Sequence, residues 1–221
     1  MIKQFKIGVK MLRHAHGSIS CVMGAVICFL VGLAMMLSRP VSDMMGDATG
    51  AYFIIMVSIW ITQMFYSIQV SSMVATSAYA KALQTSIPAL LSGVCYFLTY
   101  AVVVVIQLFK VNKTPENSGY IALETICVAV LCMIFACYMG AALKYFVVST
   151  ICFLIMFMVL AMYLNIGRFL GFTANMSVLT AGLIGFVVVI AGGFAQYGIS
   201  VLLYKRQMSK YAQMTSLRKT M

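Results

Sequence analysis

Long apolar runs separated by short polar stretches dominate the chain, and their lengths predict membrane-spanning helices. A helix needs about 20 apolar residues to cross the hydrocarbon core of a bilayer. Runs of this kind, with no Asp, Lys or Arg in their interiors, are Ser18–Leu37, Ala51–Val70, Ala89–Phe109, Ile121–Leu143, Tyr145–Leu164 and Leu179–Leu203. The sequence therefore predicts an all-α integral membrane protein with six transmembrane helices.

The fourth and fifth runs follow each other almost without a polar break, so their length decides how many helices they form. A single helix over residues 121–164 would be about 66 Å long at a rise of about 1.5 Å per residue, against a hydrocarbon core of about 30 Å. We therefore expect two spans, joined by a tight turn at residues 140–144.

A short basic segment precedes the first run. On a helical wheel, Ile2, Phe5, Val9 and Leu12 share one face beside a stripe of lysines and Arg13. This pattern is typical of a helix that lies in the membrane interface, and the alternative is a plain positive segment before an uncleaved first span. The predicted organisation is an interfacial amphipathic helix (residues 1–17), a six-helix transmembrane domain (residues 18–203) and a basic cytoplasmic tail (residues 204–221).

Composition excludes most soluble classes. Of the residues, 63% are hydrophobic and 9% are charged, whereas about 25% of a soluble domain is charged. A soluble enzyme, a disordered regulator and a secreted disulfide scaffold are thus ruled out. The net charge of +11 would suggest nucleic acid in a soluble protein. Here the basic residues lie at the chain ends and in short connections, so we expect no nucleic-acid partner.

The basic residues also predict the orientation. With six spans, eleven Lys and Arg fall on the side of the two termini and four fall on the other side. Cytoplasmic segments of membrane proteins carry an excess of Lys and Arg. We therefore expect both termini in the cytoplasm.

Reactive motifs are missing from the sequence. It contains no HExxH, no GxSxG and no phosphate-binding GxxxxGK motif, and its seven cysteines lie in apolar runs without a CxxC pair. We expect no enzyme activity and no catalytic, cofactor-binding or metal-ligating residue in this chain. Glu124 is the acidic residue nearest to the interior of a span, and we expect its carboxylate to reach the outer headgroups.

Few polar or small residues fall inside the runs, and we interpret them mainly as helix-packing positions. Amides in spans more often join helices than bind substrate, and a permeation path is the alternative. The polar residues are Thr62, Gln63, Gln107, Gln196 and Tyr197. The glycines expected to allow close helix contact are Gly24, Gly32, Gly192, Gly193 and Gly198.

Two connections differ from ordinary loops. Residues 71–87 on the inner side read SSMVATSAYAKALQTSI, and we expect a helix that continues below the membrane and then turns. Ser86 is a candidate N-cap, and Pro88 opens the third span. Residues 165–178 on the outer side are half apolar, so short broken helices in the outer leaflet and an ordinary amphipathic loop both stay open.

This layout resembles the permease subunit of type-2 ATP-binding-cassette exporters, in particular the small six-span kind of Gram-positive bacteria. The shared features are the basic surface helix, the helical inner connection before the third span, the broken outer segment and the inner termini. The segment SSMVATSAYAKALQTSIPAL is similar to the region through which such permeases contact their ATPase. Some members export antimicrobial or amphipathic peptides, including phenol-soluble modulins.

The resemblance implies a permease of the bacterial cytoplasmic membrane, paired with a second copy or a paralogue over two ATPase subunits. ATP and magnesium would be bound by those ATPase subunits. An amphipathic peptide or a lipid-like molecule is the implied cargo, which the 19 Met and 14 Phe would suit. The residues implied at the ATPase contact are Tyr79, Lys81, Leu83, Gln84, Gly140, Lys144, Phe5 and Arg13.

Two other function classes stay open. A substrate-binding component of an energy-coupling-factor importer also has about six spans, and it should contain a deep polar vitamin pocket. A passive channel or an accessory membrane protein needs no such pocket and no ATPase. An ATPase encoded beside this chain would favour the exporter.

Overall fold

The chain is helical throughout the part that the structure describes. The structure is a computed structural model that describes residues 18–38, 46–69, 80–169, 175–207 and 209–210. Within these residues there is no β-strand. The helices are α1 (Ser18–Ser38), α2 (Gly46–Gln69), α3 (Ala80–Gln84), α4 (Ser86–Lys113), α5 (Ser118–Ala142), α6 (Phe146–Phe169) and α7 (Val178–Leu203), with a 3-10 turn at Pro115–Asn117.

Five of these helices are long and apolar enough to cross a membrane, namely α1, α4, α5, α6 and α7. Helix α2 has 24 residues, and Thr49–Met64 is its apolar part within the residues whose side chains the structure describes. Five helices thus have the length and the apolar composition that a membrane span needs, and the prediction of six spans stays a prediction. The predicted interfacial helix lies outside the described residues.

The predicted turn between the fourth and fifth runs is confirmed. Helix α5 ends at Ala142 and α6 begins at Phe146. The backbone N–H groups of Lys144 and Tyr145 both donate to the carbonyl of Ala141, each at 3.0 Å. The tight turn thus satisfies a backbone group at the end of α5, and the two runs form separate helices.

We call the end of the bundle that carries residues 80–86, 142–146 and 203–210 the basal end, and the opposite end, near residues 113–118, the distal end. The backbone N–H of Ser209 donates to the carbonyl of Leu143 at 3.1 Å. This bond holds the start of the C-terminal tail against the α5–α6 turn. The basal end is the one that the charge distribution predicts to face the cytoplasm.

Helix α5 is the centre of the bundle, because it contacts α2, α4, α6 and α7. In its most apolar stretch 67% of the residues are buried, against 6% in that of α6. Helix α1 packs mainly on α2, and α6 packs mainly on α5. Ring contacts of Phe153 with Phe135, at 4.7 Å, and of Phe157 with Tyr52, at 5.3 Å, support α6.

Close helix contact at glycines is confirmed for three of the five predicted positions. A Cβ added at Gly24 would lie 2.9 Å from the ring of Trp60, and one at Gly192 would lie 2.9 Å from the Cα of Met133. At Gly32 an added Cβ would lie 2.7 Å from a backbone oxygen of α2. The prediction is wrong for Gly198, which has open space, and Gly193 makes only ordinary contact.

The expected N-cap at Ser86 is wrong. Helices α3 and α4 form a nearly continuous rod, because the N–H of Thr85 donates to Lys81 and the N–H of Ala89 donates to Thr85. Ser86 therefore lies inside the rod, and its hydroxyl donates to the carbonyl of Ala82 at 3.3 Å. Residues 80–84 of the inner connection thus join the helix that follows them, and residues 70–79 lie outside the described residues.

Two predictions concern the distal end. Residues 165–169 extend α6 to Phe169, and residues 170–174 lie outside the described residues, so both alternatives for residues 165–178 stay open. The side chain of Ser177 then caps α7 by accepting from the N–H of Thr180 at 3.1 Å. Glu124 does not reach the headgroups, since it is 0% exposed. The central position of α5 turns this carboxylate inward.

Replacing Gly32 by Ala should lower the stability of the bundle. The new methyl group would press on the backbone of α2, which cannot move away without shifting the helix, and overpacking of this kind costs about 1–3 kcal/mol. Thermal unfolding of the purified protein in detergent measures the loss. Gly93→Ala is the matched control, because an added Cβ there meets nothing within 4 Å. Equal melting temperatures for the two variants would contradict the packing of α1 on α2.

Candidate functional site

A break in the helical rod at the basal end begins the candidate site. Proline has no N–H, so Pro88 leaves the carbonyl of Gln84, four residues earlier, without its helical donor, and its ring disfavours a regular helix there. The chain accordingly interrupts the helix at Thr85, between α3 and α4. The hydroxyl of Thr85 donates to the carbonyl of Lys81 at 2.7 Å. The break therefore leaves polar backbone groups beside the end of α2.

A small pocket opens next to this break. Its free volume of about 10 Å³ corresponds to about one water molecule. Side chains from α2, α3, α4, α5 and α7 surround it together with the α5–α6 turn. The lining residues are Thr62, Gln69, Gln84, Pro88, Met139, Leu143, Gln196 and Ser200.

Two buried glutamines hold the walls of the pocket together. Gln69, 3% exposed, donates from its Nε2 to the carbonyl of Leu83 at 3.2 Å, which ties the end of α2 to α3. Gln196, also 3% exposed, accepts at its Oε1 from the hydroxyl of Ser92 at 2.7 Å, which ties α7 to α4. The same hydroxyl lies 2.7 Å from the carbonyl of Pro88. With one proton, Ser92 donates to one of these oxygens at a time.

Polar side chains continue from the pocket along the contact between α2 and α4. The hydroxyl of Thr62 donates to the carbonyl of Ser58 at 2.8 Å. The hydroxyls of Ser58 and Thr99 lie 3.2 Å apart and share a hydrogen bond across the two helices. The pocket is thus the basal end of a longer buried polar strip.

Helix α5 reaches the pocket through a glycine. A Cβ added at Gly140 would lie 2.9 Å from the backbone carbonyl oxygen of Gln196, so only glycine lets α5 approach α7 this closely at that level. Lys144 follows in the basal turn, where it is partly buried. Desolvation by burial lowers the pKa of its ammonium group from the ordinary value of 10.5.

The pocket offers hydrogen-bonding groups and no titratable side chain. Its polar lining consists of hydroxyls and amides, which bind water or a polar group but neither transfer protons at neutral pH nor attack a substrate. Among the described residues, no group of three or more His, Cys, Asp or Glu could hold a metal ion.

The structure places the predicted coupling residues in different surroundings. Lys81 is exposed, and Gln84 lines the pocket. Leu83 is 7% exposed and Gly140 is buried, so both pack inside the chain. The two basal connections do come together, because Gln84 and Leu143 line one pocket. Tyr79, Phe5 and Arg13 lie outside the described residues.

Sequence reasoning missed Gln69, Ser92 and Ser200. Gln69 lies seven residues after Thr62, which is two helical turns and therefore the same face of α2. Ser200 lies one turn after Gln196 on α7. These spacings could have signalled a common polar face. The partner of each side chain on another helix could not have been found in this way.

The bond between Ser92 and Gln196 should be measurable by a double-mutant cycle. Ser92→Ala and Gln196→Leu should each destabilise the protein, and the double variant should lose less than the sum. The expected coupling is about 0.6 kcal/mol, the average for side-chain hydrogen bonds between membrane helices. Unfolding in mixed micelles gives these values. A control cycle of Ser149→Ala with Gln196→Leu should be additive, since Ser149 bonds to its own helix at Phe146. Additivity in the first cycle would contradict the bond.

Comparison with known proteins identifies no relative. No protein-family model matches the chain, no curated protein matches it and no solved structure matches it. The function of the site therefore has to follow from its residues and their geometry.

Proposed function

We propose that this chain is the membrane-spanning permease subunit of an ATP-driven exporter of the type-2 ATP-binding-cassette kind, with α2 as its sixth span. A separate ATPase subunit binds ATP and magnesium and hydrolyses the nucleotide. The permease works in the bacterial cytoplasmic membrane as a homodimer or with a paralogue. Its cargo is an amphipathic peptide or a lipid-like molecule.

The meeting of the two basal connections at one pocket is the observation that supports this proposal most. Gln84 and Leu143 line the same pocket, and Ser209 bonds to Leu143. A protein that binds the basal end would therefore contact residues from three separate parts of the chain at once. Such a surface suits a partner that must move several helices together.

Hydrogen bonds at the basal end connect α3 to two other helices, so a force applied to α3 can be transmitted in two ways. One runs along the nearly continuous rod into α4, through the bond from Thr85 to Lys81. The other runs from the carbonyl of Leu83 to Gln69 and thus into α2. Force applied to this short helix therefore reaches two helices of the bundle.

The charge on the basal end supports its assignment to the cytoplasm. Lys81, Lys205 and Arg206 are exposed there, and no acidic residue occurs among residues 80–86, 142–146 and 203–210. This excess of positive charge is typical of cytoplasmic surfaces. It also suits a partner with an acidic contact surface.

The basal pocket itself is not a vitamin-binding site. A binding site for a drug-sized molecule has a volume of about 300–1,000 Å³. The basal pocket holds about 10 Å³. It suits a single water molecule and is far too small for a vitamin.

The test of coupling uses charge changes on α3 and just before it. Tyr79→Asp combined with Lys81→Glu should weaken binding of a co-expressed ATPase by at least about 30-fold, which corresponds to about 2 kcal/mol at an interface centre. Co-purification and stimulated ATP hydrolysis measure the loss. Leu83 is left unchanged, because it is buried and an Asp there would unfold the chain.

Lys113→Glu is the matched control, since Lys113 is an exposed lysine at the distal end. It should co-purify with the ATPase at the wild-type level. If the Tyr79/Lys81 variant also binds and stimulates the ATPase normally, α3 is not the coupling element.

The orientation of the bundle can be tested separately with reporter fusions. A fluorescent protein that matures only in the cytoplasm should fluoresce when fused after Met221 and stay dark when fused after Lys113. Alkaline phosphatase, which is active only outside the cytoplasm, should give the reverse pattern. The reverse of both patterns would place the basal end outside.

A further inference from the structure

One face of α4 combines polar side chains with deep burial along most of its length. Ser92, Tyr96, Thr99, Val103 and Gln107 follow each other at intervals of three or four residues, so they share one side of the helix. All five are at most 8% exposed, and Ser92, Val103 and Gln107 are fully buried. This face therefore combines four polar side chains with almost complete burial.

Helix α2 presents a matching face. The hydrogen bond between Ser58 and Thr99 fixes the register of the two helices. One turn toward the distal end from this bond, the same faces carry Ile55 and Val103. Both are 0% exposed and belong to one core cluster. We call this face of α4, from Ser92 to Gln107, together with Ile55, Ser58 and Thr62 of α2, the α2–α4 seam.

Ile55 and Val103 form an apolar layer in the seam. Polar groups on both sides of this layer lack protein partners. On the distal side, neither the Nε2 nor the Oε1 of Gln107 makes a hydrogen bond. On the basal side, the buried hydroxyl of Tyr96 has no hydrogen-bond partner of standard geometry. Buried polar groups in native proteins almost always have a partner, either protein or ordered water. Two such sites in one seam therefore point to water.

The space available sets the size of the ligand. The basal pocket, which Thr62 lines, has a free volume of about 10 Å³, which suits one water molecule and nothing larger. The amide of Gln107 can donate two hydrogen bonds and accept two more, which a water molecule can use.

We infer that water occupies the α2–α4 seam on both sides of the Ile55–Val103 layer, and that this layer closes a narrow path for water and protons through a single chain. Thr99 and Gln107 are eight residues apart, or about 12 Å along the helix, and Val103 lies halfway between them. An apolar constriction of this length excludes water and thereby blocks the path. This function goes beyond the proposed export of a larger cargo and needs no ATPase.

One hydroxyl group added at Val103 should open the path that the Ile55–Val103 layer closes. Val103→Ser should let water bridge the two sites, so proton flux into liposomes that contain the purified full-length chain should rise at least tenfold over wild type. A pH-sensitive dye inside the liposomes reports the flux under a potassium–valinomycin potential. Val105→Ser is the matched control, because Val105 is 50% exposed on the outer side of the same helix. Its proton flux should equal that of the wild type.

Two further variants keep the test decisive. Val103→Thr preserves the shape of valine and adds only a hydroxyl, so it replaces Val103→Ser if that variant does not fold. Gln107→Leu added to the open variant should return the flux to the wild-type level, because it removes the distal water site. A folded Val103→Ser or Val103→Thr protein that is as tight as wild type would overturn the inference. Equal leakage through Val105→Ser would overturn it as well.

The outcome is independent of the proposed exporter function. The flux assay uses the isolated chain, whereas the exporter proposal is tested by binding of the ATPase. If the chain binds no ATPase but its Val103→Ser variant conducts protons, the water path exists and the exporter proposal is wrong. A chain with the opposite result would be a permease whose α2–α4 seam is dry.

Discussion

The close contact between α5 and α7 is the interaction on which the rest of the structure depends. Two glycines make it possible, since Gly192 lies against the backbone of Met133 and Gly140 lies against the backbone of Gln196. Helices that approach this closely gain van der Waals contact that larger side chains would prevent. The contact places α5 at the centre of the bundle and brings Gln196 to the basal pocket. It also leaves α6 at the edge, where most of its apolar side chains stay exposed.

Buried hydrogen bonds then fix how α4 and α2 join this pair. Ser92 and Gln196 join α4 to α7, and Ser58 and Thr99 join α2 to α4. In an apolar environment an unpaired hydroxyl or amide is costly, so such bonds select one register among many apolar contacts of similar energy. Because an unpaired buried amide is costly, the amide of Gln107, which makes no hydrogen bond to the protein, indicates a partner such as water.

Pro88 links the fold to the basal end. A proline one turn into a helix removes a backbone donor, and here it separates the short helix α3 from α4 without ending the rod. The result is a short helix at the basal end that continues along the chain into α4 and is hydrogen-bonded to α2 through Gln69. A local feature of the sequence therefore produces a short helix that is bonded to two other helices of the bundle.

The sequence by itself determined the helices that are long enough to cross a membrane, the turn after α5 and the asymmetry of charge. These features depend on run length and on the positions of Lys and Arg, which need no knowledge of packing. The sequence also indicated that Gln107, Gln196 and Thr62 lie inside the helices. It could not show that Gln196 would meet Ser92, or that Glu124 would be buried.

Only the tertiary structure decided which face of each helix lies inside. In a soluble helix the apolar face marks the core, but in these helices the outer face is as apolar as the inner one, so periodicity gives little signal. For this reason Gly32 and Gly192 turned out to be tight contacts while Gly198 faces open space. Leu83 looked like a surface anchor for the same reason, although it is buried against the end of α2. Contacts between helices distant in the chain decide these positions, and no local pattern encodes them.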